Sequence, residues 1–507
     1  MTDPLESPGR REFLGYSAAT SLLLSRFATV WAGETGTPTA AATERALRDL
    51  AESVDGDLLL PGDALFEPVR NIGWNVMVPK RQPDLIVRVA NQSDVVRTLA
   101  FARAQKRQVV VRGGGHSWCA SAVREGGIML DLGRLNTISL DPASATASVG
   151  PTARGTELLH ELAPHGLAFP VAYCPTVPLG GFLLNGGNGL NYNRWGSACS
   201  NVLAIDLVLA DGREVTVSRD EYPDLFWAAR GAGPGFFAVA TRFHLALRPL
   251  PRALTLSSFV FPYAEISTAC QLVDDLSARV SRDVNLVLGI TSAPVDTARS
   301  NGVTANILGV AFVDTSDEAA SVLAPLNDDP RVKRAVSSTI NAPSDLNALH
   351  GAVGAALPGG YRYAADNIWS NQPLTTVLEG MAEHYAAAPS GVSNIMAPCF
   401  HPDFSLDGTA HSMWGRQLVY QYAIWTDPAT DAANQAWHAG VMALLDPHMV
   451  GRYVGEADLT RSRDSARECY APEAWERLRT LRGTYDPDGL FFDYLGMACG
   501  ADGSGSS

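Results

Sequence analysis

Several common sites are missing from this sequence, and each absence narrows what the chain can do. The seven cysteines (119, 174, 199, 270, 399, 469 and 499) form no CxxC pair, which argues against a zinc site or a disulfide scaffold; the odd count leaves at least one thiol over. No HExxH occurs, and His401 and His411 have no third ligand at helical spacing, so they read as structural or pocket residues rather than a metal pair. The formal charge of −14, with no cluster of Lys and Arg, excludes a nucleic-acid surface, because such binding rests on neutralising phosphates. The uncharged run from Gly15 to Ser25 is shorter than the ~20 residues needed to cross a bilayer, so no stable membrane insertion is expected.

What remains is a chain of 507 residues that is 46% apolar, enough for roughly two to four domains with a sizeable core. Near the start, Arg10, Arg11, Phe13 and Leu14 match the RRxFL core of a twin-arginine export signal. Val30-Trp31-Ala32 follows as an acceptable cleavage pattern, although Gly9 and Arg26 depart from the motif; a plain amphipathic helix is the alternative. Export to the periplasm or the exterior is the expectation, by a route that carries folded, cofactor-loaded proteins. Glu34–Glu44 reads as a linker, residues 1–45 as signal plus linker, and the glycine- and serine-rich residues 501–507 as a disordered tail.

The chain is organised around Val110–Ala120, VVRGGGHSWCA. A β-branched run, Val109–Val111, leads into Arg112, then Gly113, Gly114 and Gly115, then His116 and Ser117. Glycines here allow backbone N–H groups to crowd an anion such as a pyrophosphate, with Arg112 adding charge and His116 standing beside the ligand. Taken alone, the stretch is equally a glycine-rich hairpin with a surface histidine. Around it, period-2 and period-3.6 patterns predict strands at Leu85–Val89, Ile128–Leu132, Thr137–Leu140 and Thr146–Val149. Helices are expected over Ser93–Ala104, capped by Ser or Asp, and near Ala153–Ala163, and a hairpin over Asn201–Val217 turning at Asp211-Gly212. Six glycines between Gly180 and Gly196 suggest backbone packed against a large flat object. The GAGPG run at Gly231 is not a nicotinamide site, since its spacing is not GxGxxG and a helical segment precedes it.

The ordered set RGGGH, Cys174, GG…NGG.G, NV…VLADG and DLFWA.RG.G resembles the flavin domain of the berberine-bridge-enzyme-like oxidoreductases of the vanillyl-alcohol-oxidase (PCMH-type) superfamily. The resemblance runs from about Pro79 to Pro249 and returns near the C-terminus. It implies an α+β fold: a two-subdomain FAD-binding domain over residues 50–250, closed by 451–500, bracketing a substrate domain over 251–450 with an antiparallel sheet backed by helices. It further implies FAD joined to His116 at the 8α-methyl and to Cys174 at C6. Gly180, Gly181, Gly186 and Gly187 are then expected at the ring or phosphates, and Gly235 and Val239 near the ribityl chain or adenine.

In the second half, strands are read in LTLSSFVF, VNLVLGITS, TANILGVAFVD and GRQLVYQYAIW, and helices over Ile266–Arg279, Glu318–Leu326, Thr375–Ala388 and Thr430–Leu445. Tyr420 and Tyr422 share a face of their strand, either as a ceiling over the flavin or as ordinary sheet core. In GRYVGEADL, Glu456 stands where many family members have a tyrosine base, and Asn188 replaces a second tyrosine. Glu456 is therefore the expected base, with Tyr453 orienting the substrate, as hydride passes from an alcohol, sugar or secondary metabolite to flavin N5. Pro178 and Leu179 replace glycine and valine of the family, and Leu179 is expected to hinder O2, leaving both O2 and another acceptor open. A flavin- or ligand-binding protein without catalysis is the alternative from a different class.

Overall fold

The computed structural model describes residues 40–292, 302–406 and 408–494; the twin-arginine-like segment and the glycine-serine tail lie outside them. The first described element is a helix, Ala40–Ser53, which takes over the end of the expected linker and buries Leu47 and Leu50.

Strands β1 (Asp57–Leu59), β2 (Leu85–Arg88), β3 (Val109–Arg112) and β4 (Ile128–Asp131) form one sheet in the order β1-β2-β4-β3. The β2–β4 and β3–β4 pairs are parallel, and β2 and β4 are buried at every position, as strands covered on both faces must be. The helix Gln92–Ala104 makes the crossover. Its cap is Asn91, whose side chain accepts from Asp94 N at 3.1 Å, rather than the expected Ser or Asp.

A second, antiparallel sheet contains β5 (Ile138–Asp141), β6 (Thr146–Val149), β8 (Val202–Leu209), β9 (Glu214–Ser218) and β10 (Ala238–Ala246), in the order β5-β6-β10-β8-β9. The β8–β9 hairpin turns at Asp211-Gly212, with Gly212 at φ 88°. A short pair, β7 (Leu167–Ala168) with β11 (Arg248–Pro249), lies between this sheet and the third. One hydrophobic core runs through the first two sheets.

The third sheet has seven antiparallel strands: β12 (Ala253–Pro262), β13 (Val284–Ser292), β14 (Val303–Val313), β15 (Ser337–Ser344), β16 (Arg362–Ser370), β17 (Asn394–Cys399) and β18 (Gln417–Trp425). Their order is β15-β12-β14-β13-β17-β18-β16. Helices Ile266–Leu276, Ser316–Asn327 and Asp431–Leu445 cover one face and share its core. The helix expected over Thr375–Ala388 is two short ones, Leu374–Val377 and Met381–Ala386, because Gly380 between them adopts φ 72°.

The end of the chain stitches two free edges. Gly451 bridges Trp369 on β16, and Phe491 bridges Val109 on β3, where Val109 N donates to Leu490 O at 2.7 Å and Phe492 N to Val109 O at 2.9 Å. A helix at Pro472–Tyr485 spans the distance between these contacts.

Candidate active site

A cavity of about 510 Å³ runs from the glycine loop after β3 to the uncovered face of the third sheet. That volume lies within the range of small-molecule and cofactor pockets. Side-chain alternation decides what the sheet contributes: Val287, Gly289 and Thr291 of β13 and Tyr420 and Tyr422 of β18 face the cavity, while Leu286, Leu288, Ile290 and Val419 pack beneath the helices. Tyr420 and Tyr422 thus form part of the cavity wall as well as of the aromatic cluster beside it.

On the opposite wall the glycine loop is compressed. A Cβ on Gly114 would lie 2.0 Å from Pro178 Cγ, and one on Gly115, at φ +73°, 2.5 Å from Ile72 O. Two loops far apart in sequence therefore meet because neither glycine carries a side chain. Among the described residues, the backbone amides of Gly113, Gly114, Gly115, His116 and Ser117 donate to no acceptor, although all five residues line the cavity. Five successive free N–H groups make a nest suited to an anion, which is what the phosphates of FAD require.

His116 stacks on Trp74, with centroids 4.8 Å apart and planes at 22°, and its Nε2 lies 2.9 Å from Thr176 Oγ1. The same hydroxyl lies 3.6 Å from Cys174 Sγ. One threonine thus joins the two residues named for flavin attachment. Burial, reinforced by the charge of Arg154, lowers His116 to about 4, so its imidazole is neutral and nucleophilic at physiological pH. Burial pushes the Cys174 thiol up, hydrogen bonds from Thr176 hold it down in part, and the Glu456 carboxylate pushes it up again.

Gly180 and Gly181 line the cavity, Gly180 lying close against Pro151. The other expected residues take these positions. Arg112 lines the cavity, but its guanidinium is held at the strand end: Nη2 is 2.9 Å from Asp131 Oδ2, and Nη1 donates to Val69 O. Gly186 and Gly187 stand behind the wall. A Cβ on Gly186 would meet His411 Nδ1 at 2.3 Å, and Gly187 N donates to Tyr453 Oη at 3.2 Å. Gly235 packs on the Tyr494 ring. Val239 is fully buried on the wrong face of β10, and its neighbours Ala238 and Ala240 face the cavity instead. Leu179 begins the helix Leu179–Leu184 and points into the core at 1% exposure, so it does not screen the cavity; Pro178 lines it.

Tyr453 and Glu456 both reach the cavity from the segment after Gly451. Arg452, fully buried, anchors that segment through Asp366 (3.0 Å), Asp446 (2.6 Å) and Glu468 (2.8 Å). Asn367 on β16 holds the backbone of Tyr453 from both sides, its Oδ1 accepting from Tyr453 N at 2.7 Å and its Nδ2 donating to Tyr453 O at 3.0 Å. The Tyr453 hydroxyl already accepts from Gly187 N and its ring lies 5.4 Å from that of His411. Glu456 Oε2 accepts from Trp118 Nε1 at 3.2 Å and from the Tyr422 hydroxyl at 2.5 Å. Burial raises its carboxyl above the usual range, and these two donors pull it back in part. Trp118 and Thr176 were missed in the sequence, although Trp118 lies two residues beyond His116 in the same loop. Removing one donor should show this balance: in Tyr422→Phe the pH of half-maximal flavin reduction is expected to rise by about one pH unit, the worth of one hydrogen bond to a charged acceptor. Stopped-flow pH profiles of wild type and variant would check it; superimposable profiles would refute it.

Residues 83–218 match the family model described as an FAD binding domain. The FAD-linked oxidoreductase janO of Penicillium janthinellum is 28% identical over 433 residues, covering 83% of this chain and 93% of that protein. (R)-6-hydroxynicotine oxidase of Paenarthrobacter nicotinovorans is 27% identical over 455 residues, covering 87% and 96%. Among solved structures, 6-hydroxy-D-nicotine oxidase from Arthrobacter nicotinovorans superposes with a TM-score of 0.75 at 25% identity, covering 87% of this chain and 97% of that one. The berberine-bridge-enzyme-like 1 protein of Physcomitrella patens shares the fold, with a TM-score of 0.76 at 18% identity over 90% of this chain and 100% of that one. With the glycine nest, the neutral His116 and the sheet-walled cavity in place, the chain carries an FAD binding domain and is an oxidoreductase similar over most of its length to FAD-linked oxidoreductases.

Proposed function

We propose that the flavin is held by two covalent bonds, to His116 and Cys174, and that the enzyme oxidises an alcohol, sugar or other secondary metabolite with O2 as final acceptor. The observation that carries this reading is the shared hydroxyl of Thr176, which keeps His116 Nε2 and Cys174 Sγ on one side of the same cavity. The amides of Gly113–Ser117 would take the pyrophosphate, and Gly180 and Gly181 would let backbone approach the ring. Bound flavin supplies a two-electron acceptor at N5, the chemistry that none of the protein side chains can perform. Glu456 Oε1, free of protein donors, takes the proton the substrate loses, while Trp118 and Tyr422 hold Oε2 still. Tyr453 orients the substrate from the neighbouring wall. With Leu179 turned into the core, no bulky side chain from that position stands between the cavity and O2.

We propose the domain bounds 50–250, 251–450 and 451–500 from the way the strands divide between the first two sheets and the third, and export on the strength of Arg10, Arg11, Phe13 and Leu14. The attachment is tested by acid precipitation of the purified protein. The yellow colour is expected to stay with the pellet in wild type and in either single variant, His116→Ala or Cys174→Ala, with an altered absorption band in each. It should wash out only in the double variant. Colour lost from the wild-type pellet would remove the bicovalent reading; readmitting air after anaerobic bleaching tells whether O2 is the acceptor.

A further inference from the structure

One wall of the cavity is lightly built. The helix Leu346–Ala356, which follows β15 in the chain and precedes β16, turns Ala352, Val353 and Ala356 towards the cavity, with Leu357 just beyond its end, the spacing of one helical stripe. Ala352 is exposed as well as lining the cavity, so the helix stands at the mouth. Of its eleven residues only Leu349 and His350 are buried, whereas Ile266–Leu276, a helix of the same length behind the third sheet, buries six. It carries no charged side chain. Gly351 and Gly354 lie inside it without steric need: a Cβ on Gly351 would meet nothing within 4 Å, and one on Gly354 only Pro175 Cγ at 3.9 Å. Each glycine makes helix formation about fivefold less favourable than alanine would.

The ties of this helix are unequal along its length. Its C-terminal end is held twice, Asn394 Nδ2 donating to Ala356 O at 3.1 Å and the Tyr363 hydroxyl to Pro358 O at 2.5 Å. Among the described residues, the one hydrogen bond from residues 346–352 to another element joins His350 Nε2 to Ala172 O, at 3.2 Å. A carbonyl can only accept, so Nε2 carries the ring proton, and burial holds His350 below its ordinary value and keeps the ring neutral. Ala172 lies two residues before Cys174. One histidine therefore ties a helix of the third-sheet half to the FAD-binding half across the cavity mouth. Backbone with so little buried surface opens locally at far lower cost than the whole fold.

We propose that Leu346–Ala356 is a lid over the cavity that opens by unwinding of its N-terminal half, and that His350 is the positioning residue that fastens it. Opening admits the substrate; closure keeps water from the reacting groups. That use of the lid rests on the oxidoreductase reading above, whereas its movement does not.

The test is amide hydrogen exchange of the flavin-loaded protein, read by mass spectrometry over residues 346–357 and 266–276 and corrected for intrinsic rates. Oxidation of Met396 by tert-butyl hydroperoxide is followed beside it: the thioether takes one oxygen and the peroxide leaves as tert-butanol. Met396 lines the cavity two residues along β17 from Asn394, on the same face of the strand. In the wild type the lid is expected to exchange about a hundredfold faster than Ile266–Leu276, or more. His350→Ala should speed lid exchange and Met396 oxidation about fivefold, the worth of one hydrogen bond. His350→Gln, whose amide can still donate to Ala172 O, should restore the wild-type rates, and Gly351→Ala should slow both about fivefold. Exchange over Ile266–Leu276 should not move in any of the three, as it would if the variants merely weakened the fold. Equal protection of the two helices in the wild type overturns the proposal, as does either rate in His350→Ala staying within about a factor of two of wild type. A protein without the flavin absorption band would sink the oxidoreductase reading and leave exchange to decide the lid.

Discussion

Glu456→Gln is expected to slow reduction of the protein-bound flavin by substrate by about 10²- to 10⁴-fold, the usual worth of a positioned general base. Glutamine keeps the length of the side chain, and its amide oxygen can still accept from Trp118 Nε1 and the Tyr422 hydroxyl, so the local packing has little reason to change. What disappears is the ability to take a proton. Flavin content and the colour of the acid pellet should be as in wild type, because His116 and Cys174 keep the Thr176 hydroxyl they share. The measurement is single-turnover bleaching under anaerobic conditions, and a rate within a factor of three of wild type would end the assignment. The wild-type rate should also rise with pH as Glu456 deprotonates, since burial has lifted its carboxyl from the ordinary range, and this limb should be absent from the variant.

Acid is expected to weaken the fold well before ordinary carboxylates are protonated. His411 is 1% exposed with neither ring nitrogen hydrogen-bonded, and His438 is 9% exposed with Nδ1 against Gln421 Oε1. Burial lowers both to about 4. In the unfolded chain each protonates near 6.5, so a group with a depressed folded value contributes its full stability above 6.5 and loses it as pH falls from 6.5 to 4. The loss is about 3 kcal/mol for each histidine. Asp366 works in the opposite direction, since burial raises it to about 6 despite Arg452, and its retained proton favours the fold increasingly below pH 6 by about 3 kcal/mol. The balance is a net loss of roughly 3 kcal/mol between pH 6.5 and 4, spread almost evenly through the upper part of that interval because Asp366 begins to compensate as the histidines of the unfolded chain finish protonating. Denaturant titrations at pH 7.5, 6 and 4.5 should show this decline, and His438→Gln should flatten it. A midpoint independent of pH across that interval would refute the account.

Much of the architecture was written locally. β13 and much of β14 put apolar side chains on every second position because one face packs on helices, whereas β18, buried on both faces, reads as a nearly continuous apolar run; both patterns survive in a one-dimensional string. β15, β16 and β17 escaped notice for separate reasons. β15 is an exposed edge strand, SSTINAPS, without an apolar face, and β17 is short and contains Pro398. Such strands are held by the ladder they join. The attachment loop was legible because glycines crowd where backbones must touch. Its partners were not: Thr176 serves both His116 and Cys174 only because Gly114 lets Pro178 approach, a contact between loops about sixty residues apart in sequence that no local signal reports. Arg112 shows the converse, a charge read as free for an anion that Asp131, at the end of the adjacent strand, had already claimed.

The stitching of Gly451 to β16 and of Phe491 to β3 has a consequence for biosynthesis. A ribosome that has delivered the glycine loop, Cys174 and the whole third sheet has still not delivered Tyr453 or Glu456, nor the strand that closes the edge beside Val109. The walls of the cavity are therefore complete only once translation has passed Phe492. Chains truncated before Gly451 are expected to purify with less flavin than the full chain.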